Sequence, residues 1–202
     1  MKINTIRLRV ILGTLAILLP WIVAALAGKI PSSISATYYY DACITPFMII
    51  LGAASILLIS YKGYSLQDDI ILSLSGVFGL CICLFPTYTY SQDFVGTFQL
   101  PVSVSSTLHN ASAVIFFILL SYNSIFLFTK GDGNPTKNKK IRNWIYRICG
   151  VGMLASFAIL LLPSFYIQVW LVETIALFFF GLSFLTKADV FPFLFCDTPF
   201  KD

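Results

Sequence analysis

A chain of 202 residues with 58% hydrophobic and 11% charged residues, 19 phenylalanines and a mean hydropathy of +0.87 is not a soluble domain, because soluble domains carry about 25% charged residues. The formal charge of +4 is distributed as a topology signal, so no nucleic-acid partner is expected. Five cysteines, Cys43, Cys81, Cys83, Cys149 and Cys196, make no CxxC pair and no secreted disulfide framework.

Six apolar runs follow in order, at roughly 6–27, 42–61, 70–87, 106–128, 144–163 and 168–186. Each is long enough to cross a hydrocarbon core of about 30 Å at ~1.5 Å per residue. The predicted fold class is therefore all-α: a polytopic six-helix transmembrane bundle over residues 1–187, with 188–202 a short tail. The first run follows basic residues and ends in Ala25-Leu26-Ala27, like a signal peptide. Its apolar part is longer than a signal core, so it is expected to stay as a membrane helix.

Lysine and arginine accumulate in cytoplasmic loops. Lys2, Arg7, Arg9, Lys62, Lys130, Lys137, Lys139, Lys140, Arg142, Arg147, Lys187 and Lys201 fall on one side of the six predicted crossings, and only Lys29 falls on the other. Both termini are accordingly expected in the cytoplasm, in a plasma membrane or a bacterial inner membrane. Aromatic belts agree: Tyr38 to Tyr40, Tyr88, Tyr90, Tyr166 and Trp170 lie outside, and Tyr61, Tyr64, Trp144 and Tyr146 inside. Residues 131–135, Gly-Asp-Gly-Asn-Pro, then Lys137 to Lys140, read as a basic loop between two three-helix halves, which share no repeated motif. Small residues at 52–55, at Ser75, Gly76 and Gly79, and at Gly150 and Gly152 suit close helix packing.

In this topology the second, fourth and sixth helices begin outside, each with one ionisable residue near its start: Asp41, His109 and Glu173. His109 is the only histidine and Glu173 the only glutamate, and an ionisable group inside a membrane segment is a functional-site hypothesis by default. Together with Ser33, Ser35, Tyr38 and Asp93 from the outer loops they define a candidate polar pocket for a lipid headgroup, phosphate or carboxylate at three helix N-termini. Plainer readings stand beside this. Asp41 suits an N-cap, Ser105 or Ser106 suits the cap of the fourth helix with His109 in its first turn, and Glu173 lies about five residues in, close enough to reach water. A hydrogen bond between His109 and Glu173 is also open. Asn110-Ala111-Ser112 matches a glycosylation sequon but falls within a membrane helix, and one histidine excludes bis-histidine haem and three-histidine zinc sites. No metal or cofactor is expected.

The order Pro31-Ser32-Ser33-Ile34-Ser35, then His109, then a basic loop before the fifth helix, then Glu173 resembles the six-helix DRAM family. That family takes in damage-regulated autophagy modulators, fibroblast-growth-factor-receptor-activating proteins linked to GPI-lipid remodelling, and bacterial relatives. The chain departs from it with Ala36 where the family has aspartate, and with Thr174 where tryptophan is usual. The resemblance implies a lipid-related membrane protein and adds weight to Ser35, His109 and Glu173.

Three functions are consistent with these residues. In the first, the outer pocket binds or remodels a lipid, with neutral His109 as general base and Glu173 orienting it for acyl transfer or hydrolysis. A non-catalytic membrane scaffold or partner subunit is the second, with the same residues locking helices together. A small transporter ranks third, because it needs polar residues and broken helices near the midplane, where only Asn123 and Ser124 lie.

Overall fold

A computed structural model describes residues 5–131, 136–161 and 169–191. Six long helices dominate them: α1 (Thr5–Ala27), α2 (Asp41–Ile59), α3 (Leu66–Leu84), α4 (Val102–Tyr122), α5 (Lys137–Ala158) and α6 (Val169–Lys187). Each packs against its neighbours in sequence, and α6 returns to α1, so the six close into a ring. The core inside it is apolar and aromatic, with Phe47, Phe116, Phe180, Phe184 and Leu12 buried.

Five helices, α1, α2, α3, α6 and α4 with its continuation to Leu127, are long and apolar enough to cross a membrane, as expected of an integral helical membrane protein. The fifth expected span does not reach that standard among the described residues. Lys137, Lys139, Lys140, Arg142 and Arg147 all lie within α5, so the basic segment read as loop is largely helix. Thr136 accepts the backbone N–H of Lys139 as its N-cap. Tyr166, Cys196, residues 132–135 and the tail from 192 onward fall outside the described residues.

Two boundaries move for identifiable reasons. The third helix starts at Leu66 rather than 70 because the Asp68 carboxylate turns back to the backbone N–H groups of Tyr64 and Ser65 at 3.0 and 2.8 Å, a capping box with Ser65. The fourth starts at Val102 rather than 106, off a short hairpin in which Phe94–Val95 pairs antiparallel with Leu100–Pro101. Gly96 makes that hairpin possible, with φ of 73° and a position where a Cβ would lie 2.8 Å from Pro86. Past Tyr122, α4 continues as a π-helical turn, Asn123–Leu127, where Ser124 donates to the Tyr146 carbonyl at 2.8 Å and ties α4 to α5.

Small residues set the helix approaches, though not all at the expected places. Gly76 and Gly79 sit against Ser55 of α2, and Gly150 against the Ser121 carbonyl of α4, whereas Gly52 has open space. The ring closes at an unexpected pair: a Cβ on Gly13 would lie 2.8 Å from the Gly181 carbonyl. Cys43, Cys81, Cys83 and Cys149 are free thiols.

Candidate functional site: an outer cavity between four elements

The chain leaves α1 through Gly28 at φ 66° and folds back over the bundle in a 3-10 turn, Ser35–Tyr39. Glu173, in the second turn of the described α6, holds that loop. Its Oε2 accepts the Ile34 backbone N–H at 2.5 Å, and its Oε1 accepts the Ser35 and Ser33 hydroxyls at 3.1 and 3.4 Å. Ser33 Oγ in turn accepts the Ala36 N–H at 3.0 Å, and the Ser32 carbonyl accepts the Trp170 N–H at 3.1 Å. A carboxylate withdrawn from water is costly unless hydrogen-bonded, and the donors of the first loop supply that to half-buried Glu173.

His109 lies seven residues beyond the start of α4, about 10 Å along the axis at helical rise, and not in the first turn. Its ring Nδ1 is 2.7 Å from the Phe85 carbonyl. A carbonyl only accepts, so Nδ1 carries the proton and the lone pair of the neutral ring is on Nε2. One turn earlier, Ser105 donates to the Pro86 carbonyl at 2.8 Å. Ser105 is therefore not the cap of α4, whose N-cap is Pro101. Ser105 and His109 instead supply donors at the C-terminus of α3, where carbonyls lack helical partners.

No hydrogen bond joins His109 to Glu173; Phe85, not Glu173, orients the imidazole. The two residues meet as walls of one cavity of about 370 Å³. Ser33, Ser35, Thr87, Asn110, His109 and Glu173 form its polar lining, and Leu19, Phe47, Leu51, Ile82, Phe116, Phe117, Phe157 and Leu177 much of its apolar lining. Val114 at 52%, Leu160 at 41% and Val169 at 40% exposure also line it. The cavity thus reaches the protein surface beside α4, the end of α5 and the start of α6.

Three of the expected ligand-binding residues lie elsewhere. Asp41 is exposed as the first residue of α2, whose N-cap is Tyr40, and it does not line the cavity. Asp93 is exposed beside the hairpin, where its backbone carbonyl accepts the Val102 N–H. Tyr38 packs on the core and against the Tyr39 ring, 5.3 Å between centroids. Thr87, an outer-loop residue the sequence also offered for the pocket, does line it, whereas sequence reasoning missed Asn110 and the Phe85 carbonyl; the sequon at Asn110 drew attention to glycosylation instead of to the cavity.

No family model, no curated protein and no solved structure matches this chain. Its site is therefore read from its own geometry.

The opposite end holds a second polar cluster. Lys187 donates to the Phe128 carbonyl at 3.0 Å, with the rings of Tyr64, Phe128 and Tyr146 at 5.3, 5.3 and 5.7 Å from its ammonium. Arg9 donates to the Tyr61 hydroxyl at 2.7 Å and the Lys187 carbonyl at 3.0 Å. Beside them a void of only about 10 Å³ is bordered by Asp68, whose Oδ1 accepts no hydrogen bond but faces the Lys130 ammonium at 4.0 Å, and by Asn123, whose carboxamide has no hydrogen-bond partner. Among the described residues no group of three His, Cys, Asp or Glu side chains could hold a metal ion.

Proposed function

We propose that this membrane protein uses the cavity at the His109–Glu173 end to bind a membrane lipid, with that end facing outward and both termini in the cytoplasm. The observation that carries the reading is the joining of an apolar chamber to a compact polar wall in one space that reaches the surface between membrane-crossing helices. Pockets of this form, apolar with a few convergent polar groups, are the usual shape of small-ligand sites. In the same proposal α5 is the sixth crossing, supported by its packing between α4 and α6. Twelve of the thirteen basic residues then share the cytoplasmic side. The resemblance to the DRAM family belongs to the proposal as well, since Ser35, His109 and Glu173 all line this cavity.

Lipid turnover extends the reading. His109 Nε2 is the group able to take a proton from a lipid hydroxyl or a water, with Phe85 rather than Glu173 fixing the ring. A non-catalytic scaffold is the second reading, favoured by one observation: Glu173 and His109 both make bonds that tie separate elements together.

Native mass spectrometry of the purified protein tests the binding claim. Retained lipid is expected on the wild type and is expected to be lost in Ala113→Phe, which fills the chamber, and in Val114→Trp, which narrows its exposed side. Lipid retained equally in both variants would remove the cavity as its site. Topology is tested by labelling intact cells with an impermeant thiol reagent after placing a cysteine at exposed Ser91 or exposed Thr136. Ser91→Cys should react and Thr136→Cys should not; the reverse overturns the orientation.

A further inference from the structure

The polar wall of the cavity is one-sided in its hydrogen bonding. The Ile34 N–H and the hydroxyls of Ser33 and Ser35, which would otherwise cradle an anionic head, all point to Glu173. The Nδ1–H of His109 goes to Phe85. What remains on the two ionisable residues is acceptor capacity, with Thr87 and Asn110 adding a hydroxyl and a carboxamide to the same lining. An ionised Glu173 side chain can only accept, and the neutral His109 ring keeps the lone pair on Nε2. An anionic head placed here would face a carboxylate with no free donor from either residue, and a buried like-charge contact of that kind is strongly disfavoured.

We propose that the cavity selects a single-chain lipid whose polar end donates hydrogen bonds, a free hydroxyl or an ammonium, and rejects anionic phosphate and carboxylate heads. The inference rests on the lipid-binding reading and adds the headgroup class to it. Volume sets the single chain: about 370 Å³ lies near the lower end of the roughly 300 to 1,000 Å³ of small-molecule sites. Glu173 and His109 Nε2 receive the donor. Asn110, exposed on the same lining, offers its carboxamide N–H to an ester or amide carbonyl farther along the ligand.

Protein in phosphatidylcholine nanodiscs, titrated with four probes of equal chain length and read by native mass spectrometry, tests this. The probes are monooleoylglycerol, oleylamine, oleate and methyl oleate. The first two are expected to bind at least tenfold more tightly than the last two, and Glu173→Gln is expected to cut the oleylamine preference at least tenfold. Ala113→Phe should abolish binding of all four. Oleate binding as tightly as monooleoylglycerol, or an oleylamine preference unchanged in Glu173→Gln, overturns the headgroup assignment and leaves lipid binding standing. Failure of all four probes to bind the wild type removes the lipid-binding reading itself. Should Glu173→Gln not fold, the order of the four probes on the wild type decides alone.

Discussion

The two ends of the bundle each bury ionisable groups, and they do so in opposite ways. At the basic end Lys187 is enclosed by a carbonyl and three aromatic rings, and the adjoining void is about 10 Å³, roughly what one water occupies. At the other end Glu173 and His109 are anchored from behind, by the first loop and by α3, and front onto about 370 Å³. Anchoring is common to both; room is not. A half-buried charge enclosed by rings and a carbonyl serves the packing of the helices around it, whereas one fixed on one side and open on the other is available to a ligand.

Substitutions break this contrast, beginning with the largest effect. Lys187→Ala strips the ammonium from its cage and leaves the Phe128 carbonyl without its donor. A charged hydrogen bond contributes about 1.5 to 3 kcal/mol and a desolvated cation–π contact about 2, so unfolding in detergent should become easier by roughly 2 to 4 kcal/mol. Bound lipid at the far end should be unchanged in the fraction that remains folded. A loss of lipid without loss of stability would invert the roles assigned to the two ends.

Gly181→Leu follows. It forces a side chain into the contact with Gly13 and should lower stability by about 1 to 3 kcal/mol, the usual cost of overpacking, as read from the thermal midpoint. An unaffected midpoint would mean that α1 and α6 do not close the ring.

Tyr39 gives a smaller effect and a pH signature. Its hydroxyl donates to the Thr87 carbonyl at 2.5 Å, at the rim of the cavity, and burial, aided by Tyr38, pushes its pKa up to about 12. Because the folded value lies above the ordinary 10, this bond's stabilisation is complete below pH 10 and fades as pH rises toward 12. Tyr39→Phe should therefore cost about 0.5 to 1.5 kcal/mol at neutral pH, and the gap between wild type and variant should narrow above pH 10. A gap constant with pH would discount the bond.

Asn123→Leu has the smallest expected effect. Both carboxamide atoms are buried without a partner, and replacing such a group with an apolar one of similar size is near neutral or stabilising. A loss above about 1 kcal/mol would instead point to a bridging water in the small void.

Much of the arrangement was legible in the sequence because it follows from apolar length alone: five of the six runs reappear as helices able to cross a membrane. The shifted starts of α3 and α4 were not, because hydropathy sees the membrane core and not the caps; yet Ser65 with Asp68 carries a recognisable capping spacing. His109, Glu173, Ser33 and Ser35 were found through rarity and loop position, and all four line the cavity. Asp41, Asp93 and Tyr38 were grouped with them by assuming that residues at one membrane face converge. Packing decided otherwise, and the same assumption hid the cage around Lys187, whose members Tyr64, Phe128 and Tyr146 come from three separate stretches of chain.

The contrast between the ends is tested most directly by photocrosslinking in membranes, with a single-chain lipid carrying a diazirine in its acyl chain and a free hydroxyl at its head. Adducts are expected on the cavity wall, at Ala113, Phe117 and Leu177, and not on Leu127 or Phe128 at the basic end. Adducts confined to outward-facing residues such as Ile118 and Phe178, with none on the cavity wall, would contradict the account.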